Sequence, residues 1–111
     1  MKTVTEIKEG KVILLKDEFL KVNKFLAKRV GLNEAILLSE LVFRQHIQNL
    51  DNEGMFYCTV ETIEDNTTLS KYQQSKAIGT LESHGLISTK TKGLPAKRYF
   101  KINEKAITEL C

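Results

Sequence analysis

The stretch TVETIEDNTTLSKYQQSKAIGTLESHGLISTKTKGLPAKRYFKIN, residues 59–103, decides the reading of this chain. Thr59 is placed to cap a brief helix over 60–65, since a threonine hydroxyl accepts from the free backbone N–H groups of a first turn. Residues 66–69 turn the chain. Ser70 caps a second helix over 71–84, and Gly85 ends it where a left-handed residue is wanted. A strand over 86–90, a loop over 91–96 and a returning strand over 97–102 follow, with Tyr99 alternating against Arg98 and Phe100. The order is helix, tight turn, helix, β-hairpin.

At about 100° per residue, Gln74, Ala77, Ile78 and Leu81 share one face of the second helix. Tyr72, Lys76, Gly79 and Ser83 lie opposite, flanked by Gln73, Ser75 and Thr80. Glu82 is the sole acid of this helix and lies to the side. A carboxylate facing phosphate would be repelled, so an outer face of neutral donors, acceptors and a cation suits a nucleic acid. Gln, Ser, Thr and Lys are also side chains that pair with base edges in a major groove. Gly79 costs about 1 kcal/mol against Ala in a helix interior; it permits a close approach of DNA or of another helix, or is merely tolerated. Tyr72 either packs near Leu69 or offers its hydroxyl to a phosphate.

These residues resemble the winged-helix DNA-binding domains. The carrying pattern is Leu69-Ser70, then Leu81-Glu82, then Gly85-Leu86-Ile87, which in that family is the second helix of the motif passing into the wing. The flanking stretches GLNEAILLSELVFRQ (31–45) and GLPAKRYFKIN (93–103) look like the amino-terminal domains of phage and plasmid replication proteins of low-GC Gram-positive bacteria, the replisome-organizer and DnaD-like group. The winged-helix resemblance covers about 60 to 70 residues. It implies an α+β fold, a winged helix-turn-helix with a three-helix core, a C-terminal β-hairpin wing and N-terminal strand or strands. It also implies that the second helix is a recognition helix. Gln74 departs from the family pattern, which has an aliphatic residue there: its amide either bonds a backbone group, or the helix is rotated and Gln74 also reaches outward.

Working toward the N-terminus, Met55–Cys58 reads as a short strand and residues 51–54 as a loop. Asn33 is expected to cap a helix over 34–48, with Glu34 favourable in its first turn. Its apolar positions, Ala35, Ile36, Leu37, Leu38, Leu41, Val42, Phe43 and Ile47, make an arc wide enough for packing on more than one side. Asn23 caps a helix over 24–30 that Gly31 stops. Two apolar runs, 12–15 and 19–22, flank Lys16-Asp17-Glu18 as a small hairpin, unless one helix spans 17–30. Residues 1–10 are expected to be a poorly ordered arm and 11–111 a single domain. Beyond the wing, Asn103 caps a terminal helix with Ala106, Ile107 and Leu110 on one side.

The chain is 111 residues long, 41% hydrophobic and 28% charged, with net charge +3. That fits one domain, burying roughly 65% of its unfolded surface, and excludes a disordered tail or a fibrous repeat. Charge is unevenly spread. Residues 1–69 carry a balance of −2, residues 70–101 carry +6, with Glu82 the one acid, and residues 102–111 carry −1. Such asymmetry points to an anionic partner. No apolar run is long enough to span a bilayer and the N-terminus is not a secretory signal, so no membrane partner and a cytoplasmic location are expected. Cys58 and Cys111 lack metal-ligand spacing with each other or with His46 and His84. Cys58 reads as a buried thiol and His46 as a satisfied structural histidine. His84 sits at a helix C-terminus, where positive charge suits the dipole. With no phosphate-binding Gly loop, nucleophile elbow or zinc-protease motif, an enzyme is not expected, nor a cofactor or metal.

The sequence therefore predicts sequence-specific double-stranded DNA binding, in replication initiation or regulation of a phage- or plasmid-type element. The contact residues are Ser70, Lys71, Tyr72, Gln73, Ser75, Lys76 and Thr80 from the recognition helix and Lys90, Lys92, Lys97 and Arg98 from the wing. Gln73 and Lys76 are expected to reach bases, and Lys92 and Lys97 the backbone. A homodimer would put two recognition helices on one duplex, with a replication or transcription protein as a further partner. A protein-interaction or oligomerisation module on the same scaffold is the alternative; within DNA binding, a small transcriptional repressor is the other. Only about eight residues follow the wing, which leaves both a fragment of a longer protein and a small repressor open.

Overall fold

A computed structural model describes Leu20 and residues 22–110. The expected arm over 1–10, the apolar run 12–15, half of the run 19–22 and the N-terminal strands lie outside the described residues, as does Cys111. Among the described residues, five helices and three strands follow in the order α1 (Lys24–Val30), α2 (Leu32–Ile47), β1 (Phe56–Tyr57), α3 (Val60–Thr67), α4 (Lys71–Ser83), β2 (Ile87–Lys92), β3 (Lys97–Ile102) and α5 (Glu104–Leu110).

Most helices begin where a short polar side chain can take a free N–H. Asn23 Oδ1 accepts from Leu26 N at 3.0 Å, Thr59 Oγ1 from Thr62 N at 3.0 Å and Asn103 Oδ1 from Ala106 N at 3.1 Å. Ser70 and Gln73 cap reciprocally: Ser70 Oγ accepts from Gln73 N, and Ser70 N donates to Gln73 Oε1 at 2.9 Å. A serine followed three residues later by glutamine satisfies two free donors at once. Gly85 ends the α4 segment at φ 72°, as expected.

Several boundaries differ from the sequence reading, among them β1, which is Phe56–Tyr57 where Met55–Cys58 was expected. Helix α2 starts at Leu32, so Asn33 lies inside its first turn and does not cap it. The chain turns instead at Gly31, φ 114°, where a Cβ would stand 2.2 Å from Glu34 Oε1. The Glu34 carboxylate folds back over that glycine at the helix N-terminus, where negative charge is favoured. Helix α3 runs two residues past 65, because the buried Thr67 hydroxyl donates to Ile63 O at 2.6 Å and accepts from Leu69 N at 3.1 Å. Left-handed Thr68, φ 65°, then reverses the chain. The hairpin is tighter than expected, its strands pairing out to Lys92 opposite Lys97 around a turn at 93–96.

The sheet is antiparallel in the order β1-β3-β2. Register sorts its side chains. Phe56, Ile87, Phe100 and Ile102 are buried on the inner face, where Phe56 and Phe100 stack with centroids 6.0 Å apart. They join Leu26, Leu37, Leu38, Leu41, Ile63, Leu69, Ala77, Ile78, Leu81 and Leu86 in one core, and Ala106, Ile107 and Leu110 close it from α5. The inner edge of α2 is buried as its pattern predicts, whereas Val42, Phe43 and Ile47 remain exposed. His46 is exposed too, not held inside as expected. Cys58 is buried, and burial pushes its thiol pKa up.

Candidate nucleic-acid interface

Helix α4 presents the outer face that its sequence spacing predicts. Gln74, Ala77, Ile78 and Leu81 point inward. Lys71, Tyr72, Gln73, Ser75, Lys76, Gly79 and Ser83 are exposed, with Ser70 and Thr80 half-buried at the margins. Tyr72 is 70% exposed and does not pack on Leu69; the Lys76 ammonium lies 5.8 Å from its ring centroid. Around Gly79 a Cβ would meet nothing within 4 Å, so no close packing among the described residues requires that glycine. Glu82 turns toward the sheet and accepts from Thr89 Oγ1 at 2.8 Å. Apart from Glu82, exposed at its margin, the exposed surface of α4 is thus cationic and neutral, while α3 exposes Glu61, Glu64 and Asp65. Of the two helices, a polyanion is repelled by α3 and admitted by α4.

Not every predicted contact residue is free to reach out. Gln73 Oε1 is committed to the cap, leaving its Nε2 as the available donor. Thr80 Oγ1 donates to Lys76 O at 3.2 Å. Gln74 resolves toward the backbone-bonded alternative. It is fully buried, and its Nε2 donates to Leu69 O at 2.9 Å and Val60 O at 3.1 Å. Arg98 shares the inner-face parity of Phe100 and is half-buried, its Nη2 3.4 Å from Gln74 Oε1 and its guanidinium 5.0 Å from the Phe100 ring. Burial holds its pKa below the usual arginine value.

The wing lysines meet carboxylates that the sequence pattern did not bring near them. Lys92 Nζ donates to Asp51 Oδ2 at 2.6 Å and to Glu53, and Lys90 Nζ donates to Glu53 Oε2 at 3.1 Å. The loop that supplies these acids is itself built by Asp51, whose Oδ1 accepts from Glu53 N and Met55 N at 2.9 Å each. The Lys92 bond, then the Met55 N–H, hold the Asp51 carboxyl at about 2, and Lys92 with Lys90 lowers that of Glu53. The same carboxylates raise Lys92. Lowered carboxyl pKa values contribute while the groups are ionised and are lost as pH falls through the folded values; a raised lysine is lost only as pH rises past its usual 10.5. The clasp is therefore expected to hold at neutral pH and to open as pH drops from about 4 toward 2. An NMR titration in which Asp51 midpoints at an ordinary 3.8 would show it unformed in solution.

Sequence reading named the cations of the hairpin but missed two tyrosines beside them. Tyr57 and Tyr99 face each other across β1 and β3 with ring centroids 5.8 Å apart. Lys97 Nζ lies 4.6 Å from the Tyr57 centroid and Lys92 Nζ 4.6 Å from that of Tyr99. Alternation along β3, Lys97-Tyr99-Lys101 against Arg98-Phe100-Ile102, was the signal that separates these two faces.

Neither a protein-family model nor a curated protein matches the chain. Solved structures do. One, described as the N-terminal domain of a DNA-binding protein, aligns with a TM-score of 0.55 at 19% identity, over 96% of this chain and 90% of that one. Another, described as a Rep–DNA complex, aligns with a TM-score of 0.56 at 19% identity, over 96% and 91%. The chain has the winged-helix fold. In that fold α3 and α4 are the helix-turn-helix pair and β2–β3 the hairpin that follows it. Among the described residues no group of three or more His, Cys, Asp or Glu is placed to hold a metal, and no helix is long and apolar enough to cross a membrane.

Proposed function

We propose that the chain binds double-stranded DNA sequence-specifically, laying α4 in the major groove with the β2–β3 wing alongside, in replication initiation or regulation of a phage- or plasmid-type element. The observation that carries this reading is the exposed face of α4 formed by Lys71, Tyr72, Gln73, Ser75, Lys76 and Gly79, from which the one exposed acid of the helix, Glu82, is turned toward Thr89. The solved neighbour described as a Rep–DNA complex supports it. Lys76, Ser75 and the Gln73 amide are the groups offered to base edges; Lys71, Tyr72 and Lys97 are those offered to phosphates. Lys90, Lys92 and Arg98 are engaged within the chain, so of the predicted cations Lys71 and Lys97 remain for phosphates. The expected slope of log K against log[salt] is then about −2 per subunit. The test is selection of bound sequences from random duplex DNA, followed by competition titrations. Lys76→Ala should lose about 1–3 kcal/mol on the preferred site and far less on a scrambled one. A flat salt response, or equal losses on both duplexes, would overturn the reading.

The second reading, an interaction module, draws on a specific observation. Val42, Phe43, Ile47 and Leu50 are 44–52% exposed at one end of α2. Exposed apolar side chains here suit a contact surface, and a second copy of the chain there would give the dimer that duplex recognition uses. Light scattering that finds a monomer at tens of micromolar, both free and on DNA, would remove the dimer.

A further inference from the structure

The outer face of the sheet is unlike an ordinary solvated one. Strand register places Tyr57, Ser88, Lys90, Lys92, Lys97, Tyr99 and Lys101 on it, with two rings at its centre and cations around them. Tyr57 is 38% exposed and Tyr99 is half-buried. An ammonium group lies 4.6 Å from each ring centroid, on mobile lysine side chains that a base stacking there would displace. The inner face packs against the helical core, so this surface looks away from that core. Among the described residues neither Lys97 nor Lys101 has a carboxylate within 4.0 Å, whereas Lys90 and Lys92 are held by Asp51 and Glu53.

We propose that this sheet face is a second nucleic-acid site, which takes single-stranded DNA by stacking bases on Tyr57 and Tyr99 and drawing its phosphates to Lys97 and Lys101. Solvent-accessible aromatic rings beside a cationic track are what a sequence-tolerant single-strand site requires, because every base has a stacking face and every nucleotide a phosphate. A duplex keeps its bases stacked inside and offers no base face to the rings. The charge of the face matches the strand, and the Glu53 carboxylate competes with it for Lys90 and Lys92. A strand arriving there displaces one anion with another, so the acid loop sets the affinity without abolishing it.

The test titrates the whole chain into a labelled oligothymidylate about fifteen nucleotides long, following anisotropy and the emission of the three tyrosines, in a chain without tryptophan. Binding with quenched tyrosine emission is expected. Tyr99→Ala and Tyr57→Ala should each weaken it about tenfold or more, and Tyr99→Phe, which keeps the ring, should hold it near native. Glu53→Gln should strengthen it severalfold. Lys76→Ala, on α4, should leave it unchanged while weakening duplex binding, so that failure here and failure of the duplex reading are told apart. If Tyr99→Ala proves unfolded by its melting curve, Lys101→Glu, on the exposed surface, carries the test and should weaken binding likewise. Absence of oligothymidylate binding, full binding by the folded tyrosine variants, or tighter binding of oligouridylate than oligothymidylate would overturn the proposal.

Discussion

Phe100→Ala is expected to cost about 3–5 kcal/mol of folding stability. Phe100 is fully buried and stacks on Phe56, its partner across β1 and β3, while facing Thr89 across β2 and β3. It is the one ring of the central strand that meets both neighbouring strands and the helical core. Truncation removes its transfer free energy and leaves a cavity that a three-strand sheet pinned on both sides closes only in part. Domains of this size hold about 5–15 kcal/mol in all, so the variant should melt far below the parent or fail to fold. Urea unfolding measures it. Tyr99→Ala, one residue earlier and on the opposite face, is the control, with an expected cost of about 1 kcal/mol. Equal losses at the two positions would show that the face assignment of β3 is wrong.

That alternation was legible in the sequence, and so were most helix starts, because caps and periodicity are local. Asn23, Thr59, Ser70 and Asn103 all cap where their types predict. The start of α2 was not legible in the same way. Asn33 is a better cap by type than Gly31, and what overrides it is a positive φ at the glycine together with the Glu34 side chain folded over it. Arg98 was counted among the outward cations by its charge, although its parity with Phe100 and Ile102 places it inward. The pairing of Lys92 with Asp51 and Glu53 joins residues 39 to 41 positions apart, a contact that no local pattern encodes. The regional excess of positive charge therefore overstates what the wing has free for a ligand. The charge of α4 survives the comparison because its one acid, Glu82, is turned aside by Thr89.

Gln74 shows how the fold settles what its sequence leaves open. It stands where the helix-turn-helix pattern has an aliphatic side chain, and a polar side chain there is tolerated only if its hydrogen bonds are met. They are met by the turn itself: the amide donates to Leu69 O at the entrance of α4 and to Val60 O at the entrance of α3, and Arg98 approaches its oxygen. One side chain thereby ties both helices of the pair and leans on the wing. Gln74→Leu keeps the volume and removes the donors, leaving the Leu69 carbonyl and the Arg98 guanidinium short of a partner. The expected cost is about 1–3 kcal/mol. Gln74→Ala adds a cavity and should cost about 3 kcal/mol or more. Chemical denaturation reads both, and duplex titration of the leucine variant reads whether α4 keeps its place. A leucine variant as stable as the parent would show that the turn satisfies its carbonyls without this amide, and that the glutamine is kept for some contact beyond the core.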